Sequence, residues 1–378
     1  MLWLIFSLFC LAFAYIGEKG GNSRSGTLAK ILLIITMSLM TGLSGQVSID
    51  HYNYREFYSV ADSFSYFRTH TLDEVLFSRG YFEFGYCLLN IICNYLGLSY
   101  VGFFVVIAII TNTFIVKVFY KIPNPVIAIL LFILSTHFYY ETNLVRQMLA
   151  IAGFLYSMQY LVNKDYKRYI ISILLIAQIH TSAYVLLPFV FIILLNNDKR
   201  QNIASMGIGI LWLLSLFVLV SGKSISSVFV WLDFLLGDTT YAKYISDEDL
   251  TNTGFAVSYI YNVFVLISYL LYNLNKKWDR KYFEYFLFFQ FGAVLLNLAS
   301  AAPNMNRFAL YFSITQFVII PYMAKTMTTG NIKYNQLNTF IRNGVIIYYG
   351  AYILFVNFIL NPNQILGSKM YSILDFFK

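Results

Sequence analysis

Two arginines stand in the same short pattern, Asn-x-x-Arg, at the start of two apolar segments. They belong to Asn143-Leu-Val-Arg146-Gln147 and to Asn304-Met-Asn306-Arg307. Asn143 is predicted to be an N-cap, which would place the Arg146 guanidinium beside the unpaired backbone N–H groups of a helix N-terminus. A cation weakens the helix there, but the cation and the N–H groups together can bind phosphate oxygens. Two such helix N-termini, each with an arginine, predict a pyrophosphate site. The alternative is that the arginines reach lipid head groups.

A histidine in the middle of an apolar segment is a candidate for proton transfer. His180 and Ser182 lie near the centre of residues 170–195, a segment that Gln178 and Pro188 also interrupt. Imidazole, with a reference pKa of about 6.5, can take a proton from a hydroxyl group at neutral pH. His180 is therefore a candidate general base, and a hydrogen-bonded core histidine is the alternative.

Carboxylates in a polar stretch before the short apolar segment 84–96 offer a second base. Asp62 and Tyr66 lie one helical turn apart, and Glu83 directly precedes that segment. Carboxylates can orient hydroxyl groups or act as general base, with an ordinary solvated loop as the alternative. Tyrosines of the same stretch, Tyr54 and Tyr58 among them, are predicted to form interfacial or core contacts, and stacking on sugar rings is the alternative.

The composition indicates the environment in which these groups must be positioned. Hydrophobic residues make up 59% of the 378 residues and charged residues 12%, whereas soluble chains carry roughly 45–50% and about 25%. The net charge of +8 comes from basic residues scattered between apolar runs, which is not the clustered face of a nucleic-acid binder. We therefore predict an all-α integral membrane protein, a polytopic helical bundle that does not bind nucleic acid.

The apolar runs predict about ten full spans, since about 20 residues cross a bilayer as helix. The predicted spans are residues 1–16, 28–43, 100–120, 125–140, 144–162, 203–220, 255–275, 282–302, 308–324 and 344–360. Segment 84–96 is too short and segment 170–195 too interrupted, so both are predicted to be short or re-entrant. Non-helical backbone at membrane depth is tolerated where it is buried or lines a cavity.

The basic residues orient this bundle through the positive-inside rule. If segments 84–96 and 170–195 both return to the side of the membrane from which they came, most basic clusters fall on one side of the membrane. That side is then the cytoplasm. The polar loops of about 45–83 and 221–252, both net acidic, lie outside. With no repeat and no linker, residues 1–378 are predicted to form one polytopic domain whose candidate site faces outward.

Neither a metal centre nor a disulfide is predicted. The three cysteines, Cys10, Cys87 and Cys93, lack a paired CxxC spacing. Three consecutive acids at 247–249 point different ways in any regular structure, so solvation is expected there.

The order of the motifs resembles the EpsG family of Wzy-like exopolysaccharide and O-antigen polymerases. The motifs are Asp62-x-x-x-Tyr66, Glu83-x-Gly85-Tyr86, Asn143-x-x-Arg146-Gln147-x-x-Ala150, His180-x-Ser182 and Asn306-Arg307. The resemblance implies a GT-C-like glycosyltransferase of the bacterial cytoplasmic membrane, with its active site facing the periplasm or exterior. Its donor would be an undecaprenyl pyrophosphate-linked glycan and its acceptor a lipid-linked repeat unit. It would be metal-independent and need no cofactor, with membrane lipid, a chain-length regulator and a flippase as expected partners.

These implications give the candidate residues roles. Arg146 and Arg307 would bind the donor pyrophosphate, and His180, Asp62 or Glu83 would deprotonate the acceptor hydroxyl. Supporting contacts are expected from four further residues: Asn143, Gln147, Tyr66 and Asn306. A single displacement would invert the anomeric configuration.

Three other classes remain open from the sequence. An O-antigen ligase would use the same donor with another acceptor. A membrane O-acyltransferase would place its functional residues toward the cytoplasm, where its acyl donor is found. A polysaccharide transporter would need a continuous polar pathway and no base.

Overall fold

A computed structural model describes residues 2–44, 49–60, 82–195, 198–221, 254–274, 279–299 and 305–326. The regular elements of these ranges are helices, which confirms the predicted all-α class for the described part of the chain. The helices up to the middle of the chain are α1 (Leu2–Gly20), α2 (Arg24–Gly42), α3 (Ile49–Val60), α4 (Phe84–Tyr95), α5 (Tyr100–Phe119), α6 (Pro125–Leu134), α7 (Thr136–Asn143), α8 (Val145–Val162) and α9 (Tyr166–Ala177). A 3-10 segment (Thr181–Leu194) follows, then α10 (Asp198–Ser221), α11 (Gly254–Leu274), α12 (Phe283–Ala299), α13 (Met305–Ser313) and α14 (Gln316–Thr326).

Contacts between residues divide the chain into two compact units. Of the described residues, those within 2–157 and 167–187 belong to the first unit, and those within 158–166 and 188–326 belong to the second. Helix α8 begins in the first unit and ends in the second. The prediction of one polytopic domain stays a prediction.

The first unit is built on a helical hairpin of α1 and α2. The side chain of Ser23 caps α2 by accepting a hydrogen bond from the Gly26 N–H at 3.1 Å. Helix α2 packs on α5 and α1 packs on α6. A Cβ atom on Gly42 would lie 2.7 Å from the Cα atom of Val105, so glycine allows the close approach of α2 to α5.

An aromatic cluster, formed by α3, α4, α5 and Phe82, which lies two residues before α4, is part of the core of the first unit. Its rings are Tyr54, Phe57, Tyr58, Phe82, Tyr86, Phe103 and Phe104, all buried. Tyr54 and Tyr58 are therefore core residues, as the interfacial or core interpretation predicted, and sugar stacking is wrong for these two. The Tyr58 hydroxyl donates to the Leu98 carbonyl at 2.6 Å.

The second unit surrounds α12, which contacts α10, α11, α13 and α14. Four polar side chains connect α10, α11 and α12, and we call them the asparagine network: Trp212, Ser215, Asn262 and Asn297. All four residues are buried. In an apolar environment such groups must be hydrogen-bonded, and the distances between them are 2.6–3.1 Å.

Four helical segments of the described residues are long and apolar enough to cross a membrane: Arg24–Gly42, Tyr100–Phe119, Asp198–Val220 and Arg307–Lys325. Shorter apolar helices accompany them, including α4 and α12. The chain is therefore a helical membrane protein, as predicted, while the exact number of spans stays a prediction. The predicted span 344–360 lies outside the described residues.

One predicted span is broken. Residues 125–140 were expected to form a single helix, but α6 ends at Leu134 and α7 begins at Thr136, with Ser135 in an extended conformation (ψ 160°). The Ser135 hydroxyl donates to the Phe132 carbonyl at 2.7 Å. This side-chain bond competes with the continuing helix.

The interruption predicted in residues 170–195 is present. Helix α9 ends at Ala177, and a 3-10 segment begins at Thr181 and contains Pro188. Three residues, 178–180, separate the two elements. Proline lacks the N–H that an α-helix needs, which is one reason why the segment is not a continuous α-helix.

Candidate functional site

Glu83 joins two of the predicted motifs. It occupies the N-cap position of α4 with φ −65° and ψ 150°, yet its side chain makes no capping hydrogen bond. Instead, its Oε2 atom pairs with Nη1 of Arg146. Its Oε1 atom accepts from the Thr181 backbone N–H at 3.0 Å and lies 3.4 Å from the Thr181 hydroxyl. One buried carboxylate thus connects the starts of α4, α8 and the 3-10 segment.

Arg146 lies in the first turn of α8 and is enclosed by rings of the aromatic cluster. Its guanidinium carbon is 4.3 Å from the ring centroid of Phe82, 5.5 Å from that of Tyr86 and 5.6 Å from that of Tyr54. A guanidinium over an aromatic face gains about 0.5–2 kcal/mol. Its Nε atom is buried and has no hydrogen-bond partner among the described residues. Glu83 and the surrounding rings therefore fix the cation in place, and its Nε–H stays uncommitted within the described residues.

Gly85 allows the non-helical residues 178–180 to lie close to the start of α4, next to the Arg146–Glu83 pair. The backbone N–H groups of Gly85 and Tyr86 both donate to the Gln178 carbonyl, at 2.7 and 3.2 Å. A Cβ atom on Gly85 would lie 2.8 Å from that same oxygen, a distance that real Cβ contacts do not reach. Only glycine fits here without moving backbone. The N–H groups in the first turn of α4, which have no partner within the helix, therefore bind the Gln178 carbonyl and fix the position of residues 178–180.

The His180 ring is half-buried, and Ser182 contacts its Nδ1 atom. The Ser182 hydroxyl lies 2.6 Å from Nδ1, and the Ser182 backbone N–H donates to Nδ1 at 3.3 Å. A backbone N–H can only donate, so Nδ1 is an acceptor and the proton of the neutral ring is on Nε2. The nitrogen that could take a proton is already occupied by Ser182. His180 is thus a less direct base than its sequence position suggested.

The family model for the EpsG family matches residues 27–372 of the chain. The chain belongs to the EpsG family. Membership indicates a membrane protein of the polysaccharide-polymerase type, since the family is generally one of glycosyltransferase-like polymerases. No curated protein and no solved structure gives a significant match to the chain.

The helix boundary at the first Asn-x-x-Arg motif of this EpsG chain differs from the prediction. Asn143 is the last residue of α7, not the N-cap of α8, and its amide donates to the Tyr139 hydroxyl at 2.7 Å. The Leu144 carbonyl instead accepts the first hydrogen bond of α8. Gln147 is buried, and the roles of Asn143 and Gln147 in substrate binding stay predictions.

The second motif lies in the second unit. Arg307 is exposed and stands in the first turn of α13, and Asn306 precedes it in the same helix. Their proposed role in the donor site stays a prediction. Asp62 and Tyr66 lie outside the described residues.

Three contributors to the site were missed by sequence reasoning. The Thr181 backbone N–H binds Glu83, but a backbone donor has no residue-type signature. Phe82 is the ring closest to Arg146, and an isolated phenylalanine is uninformative in a chain with 36 of them. The Tyr86 hydroxyl is buried beside the guanidinium with no hydrogen-bond partner in the described part of the chain. Its place in Glu-x-Gly-Tyr was a usable signal.

Proposed function

We propose that this EpsG-family protein is a polysaccharide polymerase that transfers glycan from an undecaprenyl pyrophosphate donor to a lipid-linked repeat unit. The observation that carries the proposal is the Glu83 carboxylate, which contacts both Arg146 and the Thr181 N–H. It brings a cation for pyrophosphate, a carboxylate for proton transfer and the His180–Ser182 pair to one place. These are the groups that glycosyl transfer from a pyrophosphate requires.

Donor binding begins with competition for Arg146. In the free protein the guanidinium is neutralised by Glu83 and stacked on Phe82. Pyrophosphate oxygens present more negative charge and several acceptors to the same planar group, so they displace the Glu83 Oε2 atom and also engage the uncommitted Nε–H. Arg146, with Arg307 as second cation, then stabilises the charge that develops as the pyrophosphate leaves.

Displacement of Glu83 produces the base. The freed carboxylate then stands beside the bound donor with no cation to neutralise it. It accepts the proton of the acceptor hydroxyl while that oxygen attacks the anomeric carbon. The C–O bond to the pyrophosphate breaks, and undecaprenyl pyrophosphate leaves with the electron pair. One displacement inverts the anomeric configuration. Asp62 and His180 are the alternative bases, and Asn143, Gln147, Tyr66 and Asn306 support binding.

The same function requires a defined membrane and orientation for the enzyme. A GT-C-like bundle of about ten spans in the bacterial cytoplasmic membrane would carry this site on the periplasmic or outer face, where lipid-linked repeat units are extended. Membrane lipid, a chain-length regulator and a flippase are the proposed partners. The basic residues support this orientation through the positive-inside rule.

The decisive experiment replaces Arg146. Arg146→Ala is expected to abolish polymer and leave single lipid-linked units, because the donor loses its fixed cation. Arg146→Lys keeps the charge but not the planar donor set, so short chains at a reduced level are expected. Each variant is expressed in a strain that lacks the native gene. Gel analysis of the surface glycan measures polymer length, and extraction measures the lipid-linked units.

A matched control and a binding measurement complete the test. Arg200 is an exposed arginine that donates to the Leu194 carbonyl, and Arg200→Ala should retain full-length polymer. Purified wild-type protein should bind undecaprenyl pyrophosphate more tightly than Arg146→Ala does. Normal chain length in Arg146→Ala contradicts the proposal. Loss of attachment with intact lipid-linked polymer would indicate a ligase instead.

A further inference from the structure

A small internal cavity lies in the first unit, next to the α7–α8 corner. It is lined by parts of α2, α5, α7 and α8, and its polar lining residues are Thr41, Thr111 and Glu141. The cavity is small and holds about one water molecule or one small ion. The room is therefore sufficient for a single small particle.

Glu141 is the buried carboxylate at this cavity. It is only 6% exposed, and its Oε2 atom accepts a hydrogen bond from Nδ2 of Asn112 at 2.9 Å. Its Oε1 atom is buried and accepts no hydrogen bond from the described residues. The Oδ1 atom of Asn112, a residue with no exposed surface, is likewise without a donor in that part of the chain. Two neighbouring buried oxygens thus lack the positive partner that such groups need.

The hydroxyl groups at the cavity present oxygen lone pairs. Thr111 donates its hydroxyl proton to the Ile107 carbonyl at 2.9 Å, and Thr41 donates to the Met37 carbonyl at 3.3 Å. With its proton committed, the Thr111 hydroxyl oxygen can only accept, and the Thr41 hydroxyl also interacts with the Glu141 carboxyl group. The polar lining of the cavity therefore presents hydroxyl lone pairs beside the Glu141 carboxyl group.

Comparison with the other buried glutamates shows what Glu141 lacks. Glu83 pairs with Arg146, and Glu284 pairs with Lys164. Glu141 has no Lys or Arg partner among the described residues, although all three are less than 9% exposed. An uncompensated buried carboxylate is costly, so such groups are paired, protonated or bound to a cation.

We propose that the cavity binds one monovalent cation of the size of Na⁺, held by Glu141 and the Thr41 and Thr111 hydroxyl oxygens. One carboxylate and neutral oxygens balance a single positive charge, and oxygen ligands suit a hard cation. Transition metals are not favoured, because the described residues contain no group of three or more His, Cys, Asp or Glu side chains. Bound Na⁺ would tie α2, α5 and α7 together beside the helix that carries Arg146, independently of the proposed polymerase activity.

The test measures Na⁺ binding and thermal unfolding of the full-length protein in detergent. Wild-type protein should bind radiolabelled Na⁺ at one ion per chain, and its unfolding midpoint should rise with NaCl but not with choline chloride at equal ionic strength, because a ligand that binds only the folded state stabilises it. Glu141→Gln should remove both effects, with a loss of Na⁺ affinity of roughly tenfold or more. Glu284→Gln is the matched control and should keep the Na⁺ dependence.

Three outcomes overturn the proposal. The first is absence of specific Na⁺ binding to the wild-type protein, which needs no variant to fold. The second is equal stabilisation by sodium and choline. The third is a midpoint that rises on acidification but not with Na⁺, since Glu141 would then carry a proton. If Glu141→Gln does not fold, Glu141→Asp keeps the charge on a shorter side chain and should show weakened Na⁺ binding; unchanged affinity in that variant also counts against the site.

Discussion

The Arg146–Glu83 pair of the first unit and the asparagine network of the second unit bury polar side chains in opposite ways. The pair carries two full charges, and the Nε atom of Arg146 has no hydrogen-bond partner in the described part of the chain. The asparagine network is neutral, and its members bond to one another between α10, α11 and α12. Trp212 donates to Asn262, Asn262 to Asn297, and Asn297 to Ser215.

The difference separates polar groups that hold helices from polar groups that are kept for a ligand. A complete neutral network between membrane helices stabilises by about 0.6 kcal/mol per bond, with a maximum of roughly 1.7. Burying an ion pair brings little net stability, although removal of one partner costs about 3–5 kcal/mol. A pair of this kind with spare donors is better explained by binding than by stability. Variants that act on one region and not the other test this interpretation.

The largest effect is expected from Glu83→Ala. It leaves the Arg146 guanidinium, whose side chain is 19% exposed, beside a helix N-terminus without its carboxylate. Stability should fall by about 3–5 kcal/mol, and polymer should be lost. Thermal unfolding of the purified protein and gel analysis of the glycan measure the two effects.

The double variant Glu83→Ala with Arg146→Met separates stability from function. Without the charge that Glu83→Ala leaves unpaired, it should recover most of the lost stability and yet make no polymer. If the double variant is as unstable as Glu83→Ala alone, the cost does not come from the buried charge and the comparison of the two regions fails.

A smaller effect is expected from Gly85→Ala, which changes the junction that supports the pair. The new Cβ atom would lie 2.8 Å from the Gln178 carbonyl oxygen, so backbone must move. Such overpacking costs typically about 1–3 kcal/mol, and the shift should reduce polymer by displacing Glu83 and His180.

Gly207→Ala is the matched control for this substitution. Gly207 lies in α10, and a Cβ atom there meets nothing within 4 Å. Alanine in a helix is favoured over glycine by about 0.5–1 kcal/mol, so this variant should be slightly more stable and fully active. Wild-type behaviour of Gly85→Ala would show that the Gly85–Gln178 contact does not position the site.

Sequence patterns predicted the class of fold and three of the segments that meet at the site. Apolar runs indicate a helical membrane protein, Arg146 and His180 stand out as ionisable groups in apolar segments, where they are costly, and Glu83 stands out as a carboxylate directly before segment 84–96. The pairing of Arg146 with Glu83 was not predictable, because the two residues are 63 positions apart and their contact depends on how α4 and α8 pack.

Two errors have local physical causes. Asn143 was expected to cap α8, but the break at Ser135 restarts a helix that runs through Asn143, so this residue ends a helix. Residues of the asparagine network were not selected, because neutral side chains in apolar helices carry no signal comparable to a charge. The bonded side chains of the network lie 35 or more positions apart, for example Asn262 and Asn297 at 35.

Asn297→Leu tests the neutral region. The substitution removes two donated hydrogen bonds, to Ser215 and Asn262, and one accepted from Asn262. Each interhelical bond contributes about 0.6 kcal/mol on average, so a loss of about 1–2 kcal/mol is expected with polymer length unchanged. Thermal unfolding and glycan gels provide the readouts. Loss of polymer at a temperature where the variant is still folded would assign the asparagine network a functional role and contradict its assignment as a contact that only holds helices.

The smallest change in stability is expected from Ser182→Ala. Ser182 is neutral, like the asparagine network, but lies at the candidate site, so this variant tests whether the charge of a polar group or its position determines its role. The hydroxyl lies 2.6 Å from Nδ1 of His180, and the backbone N–H that also contacts Nδ1 is retained in the variant. The cost in stability should be about 1 kcal/mol or less, similar to one bond of the asparagine network. Because Thr181, the intervening residue, binds Glu83, polymer yield should nevertheless fall several-fold. Measuring yield against pH shows whether Nδ1 takes part in proton transfer: freed of the hydroxyl, it should alter the pH profile if it does. Wild-type yield and profile would place the His180–Ser182 pair with the structural contacts and leave Glu83 as the base.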